Sequence, residues 1–338
     1  MKLAGSGGGG GGGAAGAVRI HATGGPEVLR FETIEASEPG PGEARVRQRA
    51  VGVNFIDVYH RTGLYPLPAL PHGIGVEAAG VVEAVGKGVT GVAPGDRVAY
   101  AGGTPGAYAG VRNVPADRLV PLPAGIDERI AAAALLKGMT VEYLIRRAFR
   151  VERGRTVLFH AAAGGVGLIA CQWLAHLGAT VVGTVGTEEK AKLALAHGCA
   201  HAIVYAREDF VARVREITGG RGVPVVYDSV GKTTFEGSLA CLAPRGTLVS
   251  FGNASGPVAP FDPLELARRG SLFLTRPTLK DYTATREELL ACAAALFDVI
   301  RSGAVRVLVG RTGPLREAAE AHRALEGRRT TGSLLLVP

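Results

Sequence analysis

The sequence predicts an α/β protein in which a compact all-β region precedes a doubly wound parallel sheet of six strands. Three observations predict it. The run His160-Ala-Ala-Ala-Gly-Gly-Val-Gly167 lies between a short apolar strand pattern, Thr156 to Phe159, and a helical apolar spacing, Leu168 to Leu177. Strand and helix patterns then alternate as far as Thr275, which calls for parallel strands joined by helical crossovers. Before Val120, short β-type segments alternate with Gly/Pro turns, as in a small barrel.

Taken in order, Met1 to Ala17 is a glycine-dominated leader without the apolar stretch of a secretory signal. It reads as disordered, so the fold is expected to begin near Val18. Ala44 to Gln48, Gly80 to Val85, Arg97 to Tyr100 and Ala107 to Val114 read as strands. Pro39-Gly-Pro-Gly-Glu43 and Pro94-Gly-Asp96 read as turns. Asp127 to Phe149 is helical in pattern and leads into the parallel sheet. After Thr156 to Phe159, the strands are Thr180 to Thr184, His201 to Tyr205, Val223 to Asp228, Gly246 to Phe251 and Ser271 to Thr275. The crossover helices are Leu168 to Leu177, Glu188 to His197, Arg207 to Ile217, Lys232 to Leu242 and Pro263 to Arg269. Arg286 to Ser302 carries apolar residues on an approximate 3.6 period and stops at Gly303. Leu315 to Leu325 forms another helix and Ser333 to Val337 a last strand, expected to return to the β-rich region and leave a cleft between two units.

Composition narrows the classes. With 338 residues, 47% of them hydrophobic, there is material for two cores, and no apolar run approaches the ~18 residues of a membrane span. Four cysteines, Cys171, Cys199, Cys241 and Cys292, are widely spaced and read as reduced thiols of a cytoplasmic protein. The net charge of +8 admits a nucleic-acid partner. The arginines are scattered, however, and no basic stripe interleaves with aromatics.

In the glycine run, Ala162, Gly164 and Gly167 occupy the three positions of a G-x-G-x-x-G pattern. Small residues there let N–H groups approach a pyrophosphate at a helix N-terminus. Together with Gly52-Val-Asn-Phe-Ile-Asp57, Gly75-Val-Glu-Ala-Ala-Gly80, Pro94-Gly-Asp-Arg-Val98 and Tyr227-Asp-Ser-Val-Gly231, this run resembles the medium-chain dehydrogenase/reductase superfamily. More narrowly, the sequence resembles its zinc-independent quinone oxidoreductases of the zeta-crystallin type, from about Val18 to Pro338. The resemblance implies a six-stranded Rossmann sheet at 139–276 and a GroES-like β-barrel catalytic domain at 18–138 and 277–338. It also implies an NADPH:quinone oxidoreductase and a homodimer.

The departures from the zinc-containing branch are specific. Asn54 stands where that branch has a cysteine, Val76 where it has a histidine, and the four-cysteine lobe is missing. No metal is expected, because catalytic zinc needs about three protein ligands. The second strand ends Thr184-Val185-Gly186 without the acid that bonds both ribose hydroxyls in NAD-preferring sites. Glu188 and Glu189 fall in the first turn of a helix capped by Thr187. On spacing alone, Lys190 is equally an exposed lysine or a phosphate ligand. The resemblance implies that Gly186, Thr187 and Lys190 contact a 2′-phosphate, which makes the cofactor NADPH.

Further contacts implied by the resemblance are Gly164, Gly165, Val166, Tyr205, Ser229, Phe251, Gly252 and Asn253. Asn54, Tyr143 and Arg328 join them, with Arg329 as an alternative to Arg328. Lys137 reads equally as structural or functional. Quinone reduction leaves negative charge on an oxygen that a donor can stabilise. Asn54 is the first candidate, and Tyr59 and Tyr65 are candidate pocket residues. Each has a plain alternative: Asn54 in holding turns, the tyrosines in packing. An NADPH-dependent enone or 2-alkenal reductase would share nearly every cofactor residue, and the resemblance also admits an RNA-binding role.

Overall fold

A computed structural model of the chain describes residues 14–338. The reading of a disordered leader falls on residues 1–13, outside the described residues. Its last four positions are corrected: Ala14–Ala17 open strand β1 (Ala14–Ile20), which pairs antiparallel with β2 (Arg30–Glu35). A side chain at Gly16 would meet the Phe31 ring at 2.3 Å, so the small residues there let that ring lie across the strand.

The first unit is built on β3 (Glu43–Val53), whose even positions Ala44, Val46, Gln48 and Ala50 face inward before Val51–Val53 are buried on both sides. Helix α1 (Phe55–Thr62) follows, then β4 (His72–Gly73), β5 (Glu77–Val85), β6 (Arg97–Ala101), β7 (Val111–Pro115) and β8 (Val120–Pro121). β3 pairs antiparallel with β5 and β7, and β5 with β6. Val18, Ile20, Val46, Ile74, Tyr100, Tyr108 and Leu119 fill the space these strands enclose. Ala107–Gly110, expected as strand, is irregular because Gly106 (φ 139°) turns the chain there.

Helix α2 (Glu128–Tyr143) connects the units and is buried nearly all round; Ala131–Ala134 let it pack close to the first sheet. The helix expected to reach Phe149 changes character at Leu144–Ala148, a π-helical turn.

The second unit alternates as expected: β9 (Thr156–Phe159), α3 (Gly165–His176), β10 (Thr180–Val185), α4 (Glu188–Ala196), β11 (His201–Val204), α5 (Phe210–Ile217), β12 (Val223–Asp228), α6 (Phe235–Cys241), β13 (Leu242–Ser250), α7 (Leu264–Arg268) and β14 (Phe273–Thr275). All six strands are parallel, in the order β11-β10-β9-β12-β13-β14. The order reverses between β9 and β12, so a crevice opens at their carboxyl ends. Several boundaries moved: α3 begins at Gly165 rather than Leu168, α5 at Phe210 rather than Arg207 and β14 at Phe273 rather than Ser271. Lys232–Thr234 form a turn held by Asp228 rather than the start of α6, and β13 begins four residues early, directly where α6 stops.

Helices α8 (Leu279–Tyr282) and α9 (Arg286–Arg301), strand β15 (Val309–Pro314), helix α10 (Ala318–Glu326) and strand β16 (Ser333–Val337) complete the chain. β16 pairs antiparallel with β3, so the C-terminal elements return to the first sheet as expected. Helices α1 and α8 and strands β2, β4, β8 and β15 were not foreseen from the sequence. Among the described residues, no helix is long and apolar enough to cross a membrane.

Candidate active site

A cleft of about 1300 Å³ runs between the two units along the carboxyl ends of β9, β10, β12 and β13. At its centre the glycine run turns from β9 into α3. The left-handed residue of the turn is Ala161 (φ 55°), one position before the expected start of the motif. Gly164 is the N-cap of α3, and the N–H groups of Gly165, Val166 and Gly167 are those a first turn leaves without intrahelical partners. A Cβ at Gly167 would lie 2.3 Å from Ala161 O, and one at Gly165 would strike the Lys137 side chain at 2.9 Å. Gly167 is therefore required by close packing against backbone, Gly165 leaves room for the Lys137 side chain, and the cradle they leave fits a pyrophosphate.

Towards one end, β10 stops at Val185 without an acidic residue. A Cβ at Gly186 would lie 2.9 Å from the Tyr205 hydroxyl, so Gly186 admits that ring to the cleft wall. Thr187 caps α4 by accepting from Lys190 N at 3.3 Å. Glu188 is drawn away by Arg207, at 2.6 Å. Lys190 Nζ donates to the Arg328 carbonyl at 2.6 Å. Partial burial, and then the Arg328 charge, hold the Lys190 ammonium below its ordinary pKa. Two cations thus share one corner of the cleft, an arrangement that a phosphate dianion would relieve.

The floor is a buried polar network. Asp228 accepts from Val230 N, Gly231 N, Thr234 Oγ1 and Ser238 Oγ at 2.7 to 3.0 Å. Since Ser238 spends its proton on Asp228, it accepts from His160 Nε2 (3.0 Å), and His160 Nδ1 accepts from Thr184 Oγ1 (2.8 Å). Burial lowers the His160 pKa, so the imidazole is neutral. The network ties the ends of β9, β10 and β12 together and fixes the loop carrying Ser229, against which Gly252 packs.

At the other end, α1 presents Phe55, Ile56, Tyr59 and His60 to the cleft. The Tyr59 hydroxyl accepts from Asn253 N at 2.8 Å, so Asn253 is present through its backbone, beside Phe251 in the wall. Burial pushes the Tyr59 phenol up to about 12, and it keeps its proton. Tyr65 packs edge-on against Tyr59 and accepts from Arg276 Nη2 at 3.2 Å. Tyr143 stacks on Tyr282 at 4.5 Å.

Asn54 is the N-cap of α1, and one of its amide protons goes to Glu77 Oε2 at 2.8 Å. Glu77 is fully buried and also accepts from Lys137 Nζ (3.1 Å) and Leu136 N (2.7 Å). Asn54 is therefore both a turn-holding residue and a cleft residue. Zinc does not fit these donors. The carboxylate is taken by an ammonium and two N–H groups, and among the described residues no cluster of three His, Cys, Asp or Glu side chains could hold a metal.

Sequence reasoning left Glu77, Arg276 and the His160–Ser238–Asp228 network without roles. Asp228 and Glu77 lay inside quoted motifs, but nothing in the sequence pairs Arg276 with Tyr65, 211 residues away.

Comparison with known proteins agrees with this architecture. Residues 40–124 match the alcohol dehydrogenase GroES-like domain and residues 165–317 the zinc-binding dehydrogenase family. Over 321 residues the chain is 54% identical to the quinone oxidoreductase of Pseudomonas aeruginosa, covering 95% of this chain and 99% of that one. The chain belongs to the quinone oxidoreductase family. It is also similar to the 2-haloacrylate reductase of a Burkholderia species, with 48% identity over 95% of this chain and 98% of that protein. The structure of Escherichia coli quinone oxidoreductase complexed with NADPH superposes with a TM-score of 0.94, at 50% identity, covering 96% of this chain and all of that one. This family is one of the medium-chain dehydrogenase/reductases, the superfamily whose motifs the sequence carries.

Proposed function

We propose that the protein is an NADPH-dependent quinone reductase in which α1 and the loop after β14 face the acceptor. The observation that carries the reading is the continuity of the cleft: the glycine cradle at its centre, the Lys190–Arg328 corner at one end and a protonated tyrosine at the other. The structural relative with a TM-score of 0.94 is a complex with NADPH, which supports the cofactor. When bound, NADPH supplies the reducing equivalents.

The chain's own residues orient and neutralise. The N–H groups of Gly165, Val166 and Gly167 meet the pyrophosphate, Lys190 and Arg328 the 2′-phosphate, and Tyr205 flanks the adenine end. Thr187 holds Lys190 through the helix cap. Gly186, Ser229, Phe251, Gly252 and the Asn253 backbone shape the wall, while Asn54 and Tyr143 border the nicotinamide. Because Tyr59 accepts from Asn253 N, its own O–H is free to donate to the acceptor oxygen on which charge develops. Arg276, held by Tyr65 and by the Ser250 carbonyl, adds positive potential nearby.

The test is a titration with NADPH and NADH followed by a substrate panel. Tight NADPH binding with turnover of 1,4-benzoquinone is expected; absence of any binding signal ends the reading. The 48% identity to a 2-haloacrylate reductase favours one second reading, reduction of an activated alkene. Faster turnover of a simple alkenal than of the quinone would select it.

The nucleotide unit is taken as 139–276, and the acceptor unit as 18–138 with 277–338, extended back to Ala14. A cytoplasmic homodimer fits two features. Cys171, Cys199, Cys241 and Cys292 are all buried free thiols, and β14 is an edge strand with Phe273 61% exposed.

A further inference from the structure

Helix α1 has two faces. Phe55, Ile56, Tyr59 and His60 look into the cleft, whereas Asp57 and Arg61, one turn apart, point into the protein and are buried. Arg61 is only 1% exposed, so its charge must be met internally. Nη1 and Nη2 donate to Glu326 Oε2 and Oε1 at 2.8 and 2.7 Å, a bidentate pair, and Nε donates to Gly24 O at 3.0 Å. Nη1 also lies 3.2 Å from His322 Nδ1. A guanidinium can only donate, so His322 Nδ1 is an acceptor and the ring proton sits on Nε2, which donates to Tyr108 OH at 3.0 Å. Tyr108 in turn donates to Asp57 Oδ2 at 3.0 Å. The run of bonds begins and ends on α1 and passes through α10.

Glu326 is the last residue of α10. Two residues on, Arg328 adopts φ 55° and offers the carbonyl that Lys190 bonds. Gly332 N then donates to Ala163 O at 3.1 Å, and Gly332 bridges Gly164. Residues 327–332 therefore form a strap lying over Lys190 and the glycine loop, and the Arg61–Glu326 pair anchors its start.

We infer that the Arg61–Glu326 pair couples the two ends of the cleft, making Arg61 and Glu326 positioning residues through which an occupied phosphate corner tightens the acceptor wall. This rests on the proposed reading of Lys190 and Arg328 as phosphate ligands and of α1 as the acceptor wall. Two ligands that meet one shared rigid element influence each other reciprocally, so the coupling is visible from either end.

The experiment compares the parent chain with Glu326→Gln, a change at a partly exposed side chain that keeps the shape and removes the charge. NADPH binding is followed by fluorescence, and the quinone KM is measured at saturating NADPH and at saturating NADH. In the parent, the quinone KM should be roughly fivefold lower with NADPH than with NADH, the low end of ordinary coupling. In Glu326→Gln it should be high with both coenzymes, and Glu326→Asp should restore part of the difference. A parent that binds NADPH but whose KM ratio survives unchanged in Glu326→Gln, with only a lower Tm, overturns the coupling. A parent that does not bind NADPH at all overturns the underlying reading instead. Should Glu326→Gln not fold, Arg61→Lys, which keeps the charge and breaks the bidentate geometry, gives the same two outcomes.

Discussion

At Asp57 and His322 burial acts in opposite directions. Burial pushes the Asp57 carboxyl from 3.8 up to about 7, with Glu77 adding to the rise and Lys137 and two hydrogen bonds offsetting it. Burial, and then the Arg61 charge, push His322 from 6.5 down to about 3. Between about pH 4 and 6.5 the native chain holds a proton on Asp57 that the unfolded chain has lost, so this residue alone makes stability fall as pH rises. Over the same range the unfolded chain protonates His322 and the native chain does not, so that residue alone makes stability rise. Each slope is at most about 1.4 kcal/mol per pH unit, and the two cancel. His322→Gln should therefore leave a protein whose urea midpoint drops from pH 4 to 6.5, and Asp57→Asn one whose midpoint climbs; identical pH profiles in all three proteins would refute the pairing. Two active-site changes belong to the same scale. Lys190→Ala should raise the NADPH KM by about 10-fold or more, the range of one charge-assisted bond, with the NADH KM unmoved. Tyr59→Phe, which removes both the donating O–H and the acceptor for Asn253 N, should lower kcat about 10-fold, with a smaller rise in the NADPH KM.

Among the elements, the strand-turn-helix around the glycine run was the most legible. Its small residues are required by contacts local in sequence: Gly167 meets Ala161 and Ala162. Gly167→Ala should cost about 1–3 kcal/mol through forced separation of α3 from β9 and abolish the NADPH fluorescence signal; a variant with wild-type Tm and binding would show the contact to be slack. Helix α1 was illegible for the opposite reason. Its apolar residues Phe55, Ile56 and Tyr59 line the cleft while Asp57 and Arg61 are buried beside Val58, and only partners on α10, the Tyr108 loop and Gly24 make those polar residues internal. The end of α2 failed likewise, because nothing in Leu144–Ala148 announces a π-helical turn.

For the whole molecule, the proposed homodimer would set the edge of β14, unpaired among the described residues, against a second copy across a twofold axis and so join two six-stranded sheets. Phe273 and Leu264 lie exposed along that side. Phe273→Glu should convert a dimer into a monomer in size-exclusion chromatography with light scattering, with the fold retained by circular dichroism. An unchanged mass would place the contact elsewhere.

Periodicity and glycine placement were enough to specify six parallel strands, their order of appearance and the nucleotide cradle, because these depend on neighbours a few residues apart. The missing acid after β10 was also plain in the sequence. What only the tertiary structure decided were the pairings between distant segments: Arg276 with Tyr65, Glu77 with Lys137 and Asn54, Arg61 with Glu326, and Lys190 with the carbonyl at Arg328. A charged or hydroxyl side chain takes its role from what burial places within about 3 Å of it, and that distance has no signature along the chain.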